Sequence, residues 1–197
     1  MLIQSSGFKN PVYDAQQTFR ALLNALAKPG KPQNITAQLQ PPTELNSACA
    51  AACLTLFDLE IKVWLSPQFG KTVKQWLLFH TGCRWTDDIN KADFAIFPNL
   101  ETCINLDRAH RGTAEEPETS TTVLIQVLAF QGEAITLKGP GILDYLDLNF
   151  LTSSFWQKWQ SFQDYPLGID GYFFTSGQVM GIPRTTEIMM KSLSRET

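Results

Sequence analysis

An amphipathic repeat of helical period marks the first element of the chain. Asp14 and Gln17 have the spacing of a capping box, in which an N-cap acid and a glutamine three residues later satisfy free backbone N–H groups. Apolar residues then recur at i, i+3, i+4 and i+7, namely Phe19, Leu22, Leu23 and Leu26. Because proline disfavours helical geometry in the residue before it, Pro29-Gly30 ends the element. The pattern predicts a helix that begins at Asp14 and buries the Phe19 to Leu26 face.

Two more helices and two strands are predicted before residue 110. A stripe of helical period follows Pro41-Pro42 and consists of Leu45, Ala48, Cys49, Ala52, Cys53 and Leu56. The third helix spans residues 70–80 and faces inward through Val73, Trp76 and Leu77. Residues 61–65 and 92–97 are short apolar runs typical of buried strands, and residues 100–109 form a weak helical turn.

The second half of the chain begins with a polar loop at residues 110–122 and continues with two predicted hairpins. Strands at 123–130 and 134–138 are joined by Gln131-Gly132, and strands at 172–175 and 179–182 by a turn around Gly177. A helix at residues 150–163 lies between the hairpins, with Leu151, Phe155, Trp159 and Phe162 on one face. Helices thus precede, interrupt and follow the strands. This order predicts a single α/β domain over residues 1–197, in which helices flank a mixed central sheet.

Composition and charge exclude several classes of protein. A hydrophobic content of 44% with 18% charged residues describes a folded globular chain. The net charge is −3 and no basic run interleaves with aromatic residues, so nucleic-acid binding is not expected. The N-terminus has no signal-peptide pattern, and the apolar stretch at 123–130 is far shorter than the ~20 residues of a membrane helix. We expect a cytoplasmic protein with reduced cysteines and no membrane contact.

The cysteines and histidines predict neither a metal site nor a cofactor site. Cys49 and Cys53 have a spacing that can begin a radical-type iron–sulfur motif, but Leu56 occupies the position of the third cysteine. Both thiols lie on the apolar stripe of their helix, where cysteine packs as a small hydrophobe. Cys83 and Cys103 have no neighbouring ligand at zinc spacing. His80 is interpreted as a half-buried packing residue and His110 as a solvated loop residue.

A glycine-rich turn and an arginine are the candidate anion-binding groups. No nucleophile elbow, Walker lysine loop or dinucleotide fingerprint occurs, so self-contained hydrolytic or nucleotide chemistry is not expected. The N–H groups around Gly139 and Gly141 can form an anion-binding concavity, to which Lys138 adds charge. The alternative is a tight turn that leaves a strand. Arg184 can clamp a phosphate with two parallel hydrogen bonds, or it can pair with Glu187.

Short strings along nearly the whole chain resemble the PhnH family, the H subunit of the bacterial carbon–phosphorus lyase. Each string is weak, and their joint order is specific. They are Pro11 to Leu23 with Pro29-Gly30, Leu54-Thr55-Leu56, Val63-Trp64-Leu65, Phe79-His80-Thr81, Arg111-Gly112-Thr113, Leu137 to Ile142, Tyr165 to Asp170 and Gly181 to Thr186. Residues 99–109 depart from the family pattern.

The resemblance implies a fold and a role. The fold would be akin to the large-domain architecture of pyridoxal-phosphate-dependent transferases, without the cofactor. The chain would join the G, I and J subunits as a non-catalytic subunit, required for transfer of a phosphonate onto the ribose of ATP with release of adenine. The product is a ribose 1-phosphonate 5-triphosphate. The family supplies no catalytic residue to carry over, so none is assigned.

Two alternatives to this role remain open. The chain can contribute phosphate-binding groups to a shared active site, with Lys138, Arg184 and Arg111 as the candidates. It can also be a free-standing protein that binds small molecules.

The sequence also predicts that the isolated chain forms a homodimer. Trp156 lies about 60° outside the apolar arc of its helix at ~100° per residue, which widens the aromatic stripe beyond a simple core contact. Tryptophan is a common interface anchor. We therefore expect Trp156 to lie in the dimer interface, the alternative being that a loop covers it.

Overall fold

Two β-sheets organise residues 6–190, the part of the chain that this computed structural model describes. The α-helices are α1 Pro11–Ala27, α2 Ser47–Leu56, α3 Lys71–Thr81 and α4 Ser153–Gln160, and there are 3-10 helices at Ile89–Lys91, Leu100–Arg108 and Pro117–Thr119. The strands are β1 Gln33–Asn34, β2 Lys62–Leu65, β3 Arg84–Trp85, β4 Phe94–Phe97, β5 Thr122–Gln126, β6 Ala134–Lys138, β7 Leu146–Asn149, β8 Asp170–Phe174, β9 Gln178–Ile182 and β10 Glu187–Met190.

The larger sheet is mixed, as predicted. Over the described residues it has seven strands in the order β1-β9-β8-β5-β4-β2-β3. Strands β3, β2, β4, β5 and β8 are parallel to one another, and β9 runs antiparallel to both β8 and β1. The β8–β9 hairpin confirms the prediction for residues 172–182. One apolar core lies on each face of this sheet, and α1, α2 and α3 contribute to the first core.

Helix α1 begins earlier than predicted and buries a different face. Asn10, not Asp14, is the N-cap: its side chain accepts from the N–H of Tyr13, and Asp14 accepts from the N–H of Asn10. Of the predicted inward face, Leu22 is buried, but Phe19 is 52% and Leu23 57% exposed, so for these two residues the prediction is wrong. The residues that are buried are Thr18, Ala21, Leu22 and Ala25.

The orientation of α1 follows from its close approach to β9. A Cβ atom added at Gly181 would lie 2.6 Å from the carbonyl carbon and oxygen of Ala25. The N–H of Gly30 also donates to the carbonyl of Gly181 at 3.2 Å. Only small side chains fit where two backbones come so near. The alanine face therefore turns towards the sheet, and the bulkier Phe19 and Leu23 turn to solvent.

Helices α2 and α3 follow their predicted patterns. Residues 48–53 of α2 are at most 1% exposed, and α3 buries Val73, Trp76 and Leu77 as predicted. The side chain of Asn46 caps α2 by accepting from the N–H of Cys49 at 2.8 Å. Among the helices of residues 6–190, none is both long enough and apolar enough to cross a membrane.

The hairpin predicted for residues 123–138 does not form. Strand β5 lies between β4 and β8 in the large sheet, whereas β6 joins a second sheet in the order β10-β6-β7. The chain leaves β5, and Gly132 bridges to Leu151. Strands β7 and β10 are missing from the predictions, because each contains an acidic residue and is largely solvent-facing. Neither therefore forms the continuous apolar run that marks the equally short β2 and β4.

Trp156 is a core residue, and its predicted place in an interface is wrong. Helix α4 begins only at Ser153, where Thr152 caps it, and not at Phe150. The indole of Trp156 is 0% exposed, and its Nε1 donates to the carbonyl of Phe150 at 2.6 Å. Its ring packs against Phe150, Phe155, Trp159 and Phe173 at centroid distances of 5.2–6.2 Å. The periodicity argument fails because the second core holds residues of both sheets, so α4 is covered on more than one side.

Candidate functional site

The turn at residues 138–141 leaves β6 and packs against two distant segments. Gly139 and Gly141 have φ values of 138° and 84°, which favour glycine. A Cβ atom at Gly139 would lie 2.7 Å from the carbonyl oxygen of Thr185, and one at Gly141 would lie 2.2 Å from that of Ala27. Close backbone packing thus accounts for both glycines, which supports the tight-turn alternative. The anion-binding alternative stays a prediction.

The candidate anion-binding residues face two neighbouring clefts. A cleft of about 680 Å³ lies beside the turn and is lined by Pro140, Gln160, Gln163, Tyr165, Arg184, Thr185, Thr186, Glu187, Ile188 and Met189. The exposed side chain of Lys138 lines a second cleft of about 550 Å³ on the small sheet, together with Tyr145 and Asp147. Met189 borders both clefts. The structure therefore places Lys138 and Arg184 near the same strand but not in one cleft.

Arg184 is held by an internal network. Its guanidinium forms an ion pair with Asp170, with Nη2 to Oδ2 at 2.6 Å and Nε to Oδ1 at 3.3 Å. Nη1 donates to the carbonyl of Pro117, and Nη2 also donates to the hydroxyl of Ser120. Four of the five guanidinium N–H groups are used in these four bonds. The carboxylate partner is Asp170, so the suggested pairing with Glu187 is wrong.

This network joins three parts of the chain that are far apart in sequence. Asp170 begins β8, Arg184 follows β9, and Pro117 and Ser120 belong to the loop that precedes β5. The side chains of Arg184 and Asp170 are only 12% and 21% exposed, so water screens their attraction less than at a fully exposed pair. Arg184 therefore holds one wall of the 680 Å³ cleft in place through contacts within the protein alone.

Thr186 is a polar residue of the cleft wall that sequence reasoning does not identify. The residue is 8% exposed, and its Oγ1 is buried without a hydrogen-bond partner among the described residues. The neighbouring glutamines are engaged: Gln160 Nε2 donates to the carbonyl of Ile188, and Gln163 bonds both the N–H and the carbonyl of Ile169. Thr186 follows Arg184 in the string Gly181 to Thr186, but no local pattern marks its hydroxyl as unpaired.

Three of the strings that carry the family resemblance line this cleft, and a fourth is joined to them by a hydrogen bond. Gly168 donates its N–H to the carbonyl of Arg111 at 2.9 Å, which joins the string at 165–170 to the one at 111–113. The Asp170–Arg184 pair joins the strings at 165–170 and 181–186. Gly139 packs on Thr185, which adds the string at 137–142. Sequence reasoning does not identify Asp170 or Ser120 as partners of Arg184, because pairs 14 and 64 residues apart leave no local signal.

The neighbours of His80 agree with its interpretation as a packing residue, and His110 lies in the loop after the second 3-10 helix. The ring of His80 lies 4.6 Å from that of Trp76 and 5.0 Å from that of Phe79, and its residue is half-buried. His110 Nε2 lies 3.5 Å from the hydroxyl of Thr119. Arg111 stacks its guanidinium over Phe162, with 5.8 Å to the ring centroid. Arg111 and His110 line a third, polar cleft rather than the one that contains Arg184.

Cys49, Cys53 and Cys83 form a buried group, each at most 1% exposed. Burial, together with hydrogen bonding to Cys49 and its proximity, raises the pKa of Cys53 well above its ordinary value. Burial also raises the pKa of Cys103, to about 12. Metal ions bind thiolates rather than thiols. Residues 6–190 contain no group of three His, Cys, Asp or Glu arranged to hold a metal ion. The packing of Cys49 and Cys53 on the inward stripe is as predicted.

Replacing Cys53 by serine is expected to lower the free energy of unfolding by ~1–3 kcal/mol, because a hydroxyl would be buried beside only the thiol of Cys49, which is a weak hydrogen-bonding group. Cys103→Ser is the matched control. The thiol of Cys103 already lies 3.6 Å from the carbonyl of Asn99, so a hydroxyl there has an acceptor and the loss should be smaller. Urea denaturation followed by circular dichroism measures both. Equal losses would contradict the explanation, and about one equivalent of bound iron or zinc in anaerobically purified protein would overturn the packing role.

Comparison with known proteins places these features in a family. The family model described as bacterial phosphonate metabolism protein (PhnH) matches residues 6–189. A protein of Rhizobium meliloti (strain 1021), named alpha-D-ribose 1-methylphosphonate 5-triphosphate synthase subunit PhnH, is 34% identical over 191 residues, which cover 94% of this chain and 96% of that protein. The putative C-P lyase subunit protein HtxG of Stutzerimonas stutzeri is 33% identical over 86 residues, covering 41% of this chain and 43% of that protein.

Proposed function

The chain belongs to the PhnH family of bacterial phosphonate metabolism proteins, and from this premise we propose that it is a non-catalytic subunit of a carbon–phosphorus lyase assembly. In this role it is required for transfer of a phosphonate onto the ribose of ATP, which releases adenine and gives a ribose 1-phosphonate 5-triphosphate. The observation that carries the proposal is the end-to-end similarity to a synthase subunit, over 94% of this chain and 96% of the relative. We place the protein in the cytoplasm.

The internal engagement of Arg184 supports a non-catalytic role. A residue that stabilises charge in a transition state must direct its donors at the reacting group. Arg184 instead directs four donors at Asp170, Pro117 and Ser120. The polar groups that surround the cleft therefore serve first to fix the fold of the subunit.

The test is reconstitution with the partners that the family resemblance implies, the G, I and J subunits together with the ATP-binding-cassette-like L protein. Adenine release from ATP and methylphosphonate should fall at least ~100-fold when this chain is left out, because the transferase step needs the complete assembly. Restoring the chain should restore the rate. Adenine release that does not depend on this chain would overturn the proposal.

We also propose that the large sheet and its helices share the large-domain architecture of pyridoxal-phosphate-dependent transferases. The support is a seven-stranded mixed sheet, within residues 6–190, in which parallel strands alternate with helices. We propose in addition that this chain binds no cofactor. Superposition of an experimental structure on such transferases tests the architecture, and equilibrium dialysis against pyridoxal 5′-phosphate tests the absence of binding.

A second candidate function is a contribution of anion-binding groups to an active site shared with the other subunits. The observation that favours it is the convergence of Arg184, the turn at Gly139 and Gly141, and the unpaired Thr186 hydroxyl around one cleft. Lys138 adds a positive charge in the adjoining cleft. Arg184 has one guanidinium N–H left for a ligand after its four internal bonds.

For this second candidate, replacing Lys138 by alanine is expected to weaken binding of inorganic triphosphate about 5-fold. The variant loses one partly solvated, charge-assisted hydrogen bond, which contributes ~1 kcal/mol to the binding free energy. Titration calorimetry on the purified chain measures it. Lys91→Ala, at an exposed lysine outside both clefts, is the control and should bind as the wild type does. If the Lys138→Ala variant binds triphosphate normally and supports growth on phosphonate at the wild-type rate, the anion-binding role is refuted and residues 138–141 are a tight turn.

Self-association of the isolated chain stays a prediction and now depends on the family resemblance, because Trp156 is buried in the core. The partners G, I and J are absent from the purified chain, so a second copy can occupy a surface that they would cover. Sedimentation velocity at micromolar concentration should show a dimer. A strict monomer would refute the prediction.

A further inference from the structure

An apolar stripe on α1 faces solvent along the length of the helix. Val12 is 84%, Phe19 52% and Leu23 57% exposed. These three residues lie within about 40° of one another on the helix at 100° per residue, so they form one narrow band. Leu26 continues the band and is half-buried against the first core. Such a continuous line differs from the single exposed apolar residues of an ordinary surface.

The spacing of this stripe is that of a helix-pairing seam. Val12, Gln16, Phe19, Leu23 and Leu26 follow one another at intervals of four, three, four and three residues. This is the a/d repeat by which one helix packs its side chains between those of another. Gln16 is a polar residue within the seam, and a polar residue at such a position commonly selects the register and the partner. The stripe is therefore shaped for a helix.

The stripe cannot turn inward. The contact between Ala25 and Gly181 holds the opposite face of α1 against β9. The two backbones are so close that a Cβ atom added at Gly181 would lie 2.6 Å from backbone atoms of Ala25, so the larger side chains of the stripe would not fit there if the helix rotated. The apolar residues remain in solvent as long as the chain is alone.

The exposed charged side chains on α1 and next to its ends are basic. Arg20 lies about 80° from the centre of the stripe at 100° per residue, and Lys9, Lys28 and Lys31 lie just beyond the two ends of the helix. The acidic residue of the helix, Asp14, is half-buried and accepts a hydrogen bond from the N–H of Asn10. A partner with carboxylates beside its own apolar seam would match this charge.

We propose that the exposed face of α1 binds an amphipathic helix of a sister subunit, whose apolar seam is flanked by acidic residues. The inference rests on the proposed subunit role. In an antiparallel pair of two α1 helices centred on Phe19, each Arg20 would lie next to the Arg20 of the other copy, so like charges oppose self-pairing. A standard interface buries ~800 Å² on each side, so α1 supplies its centre and neighbouring loops complete it.

The test is a competition for places in the assembly. Wild-type chain and one variant, carrying different tags, are co-expressed with the G, I and J subunits, and their ratio is measured in assemblies purified through J. Phe19→Glu and Leu23→Glu should each be depleted at least ~30-fold, as expected for residues at the centre of an interface. Arg20→Glu should also be depleted. Leu128→Glu is the matched control, because Leu128 is fully exposed in the loop after β5, and it should compete equally. Circular dichroism should show all four variants folded.

The outcomes separate this proposal from the subunit role on which it rests. If the wild type does not join G, I and J at all, the subunit role fails and the docking helix with it. If the wild type joins and Phe19→Glu and Leu23→Glu join equally well, only the α1 proposal is overturned. The same holds if the stripe variants abolish a homodimer in sedimentation but still enter the assembly, since the stripe would then bind a second copy. Enrichment of Arg20→Glu would overturn the acidic character of the partner.

Discussion

Replacing Arg184 by alanine is expected to lower the free energy of unfolding by ~2–4 kcal/mol. Removing one member of a buried ion pair leaves the other charge without its partner, at a typical cost of ~3–5 kcal/mol. The side chains of Arg184 and Asp170 are 12% and 21% exposed, so solvent screening should reduce the loss by ~1 kcal/mol relative to a fully buried pair. The alanine variant also releases the carbonyl of Pro117 and the hydroxyl of Ser120. Urea denaturation of the purified chain measures the effect.

Three companion variants identify the cause of that loss. Arg184→Lys keeps the charge but not the planar fork of donors, so its loss should be intermediate. The double variant Arg184→Ala with Asp170→Ala should lose less than the sum of the single losses, because the two residues share one interaction. Arg108→Ala changes an exposed arginine and should stay within about 0.5 kcal/mol of the wild type. A fully stable Arg184→Ala variant would show that the pair contributes nothing to folding and would favour a ligand-binding role.

Replacing Trp156 by glutamate is expected to abolish folding, which is the opposite of what an interface position predicts. Trp→Ala substitutions in a core cost ~3–5 kcal/mol, and a buried carboxylate adds the cost of an unpaired charge. Total stabilities of ~5–15 kcal/mol leave little after such a loss. The indole is 0% exposed and lies among the rings of Phe150, Trp159 and Phe173, so a carboxylate there would be surrounded by aromatic side chains. Loss of the far-ultraviolet circular dichroism signal would report the unfolding.

Graded substitutions at Trp156 distinguish packing from hydrogen bonding. Trp156→Phe keeps an aromatic ring but leaves the carbonyl of Phe150 without its donor, and should cost ~1–3 kcal/mol. Leu128→Glu places the same charge at a fully exposed position and should leave stability unchanged. A folded, soluble Trp156→Glu variant would contradict the buried placement of this residue.

Hydrophobic periodicity identified the long elements and failed where close packing or short strands decide. Helix α2 lies inside the first core, where its alanines and cysteines are buried on every side, and α3 buries the larger Val73, Trp76 and Leu77 on one face as its pattern predicts. On α1 the same rule selects Phe19 and Leu23, yet the alanine face is buried because Gly181 allows the backbone of β9 to come near. Strand β6 pairs with β10, and a register between segments some 50 residues apart is not encoded locally.

The candidate site likewise has some features that local sequence patterns reveal and others that only the assembled fold brings together. The turn at residues 138–141 could be located from its glycines, whose φ values are indeed positive. The partner of Arg184 could not, because Asp170 and Ser120 come next to it only when β8, β9 and the loop before β5 are assembled. The family resemblance is the one part of the sequence argument that pointed to residues 165–170 and 181–186 together.

At one edge of the sheet, β1 pairs with β9, a strand that is synthesised much later than β1. Gln33 and Asn34 emerge from the ribosome well before their partners, Val179 and Gln178. Synthesis at ~5–20 residues per second takes on the order of 10 s to produce residues 35–177, and β1 has no strand to pair with throughout that time. Helix α1 also cannot reach its final packing during that time, since Ala25 packs against Gly181 of β9. Long-range pairing of this kind slows folding, so β1 and α1 stay unpaired until β9 is made and depend on protection from aggregation until then.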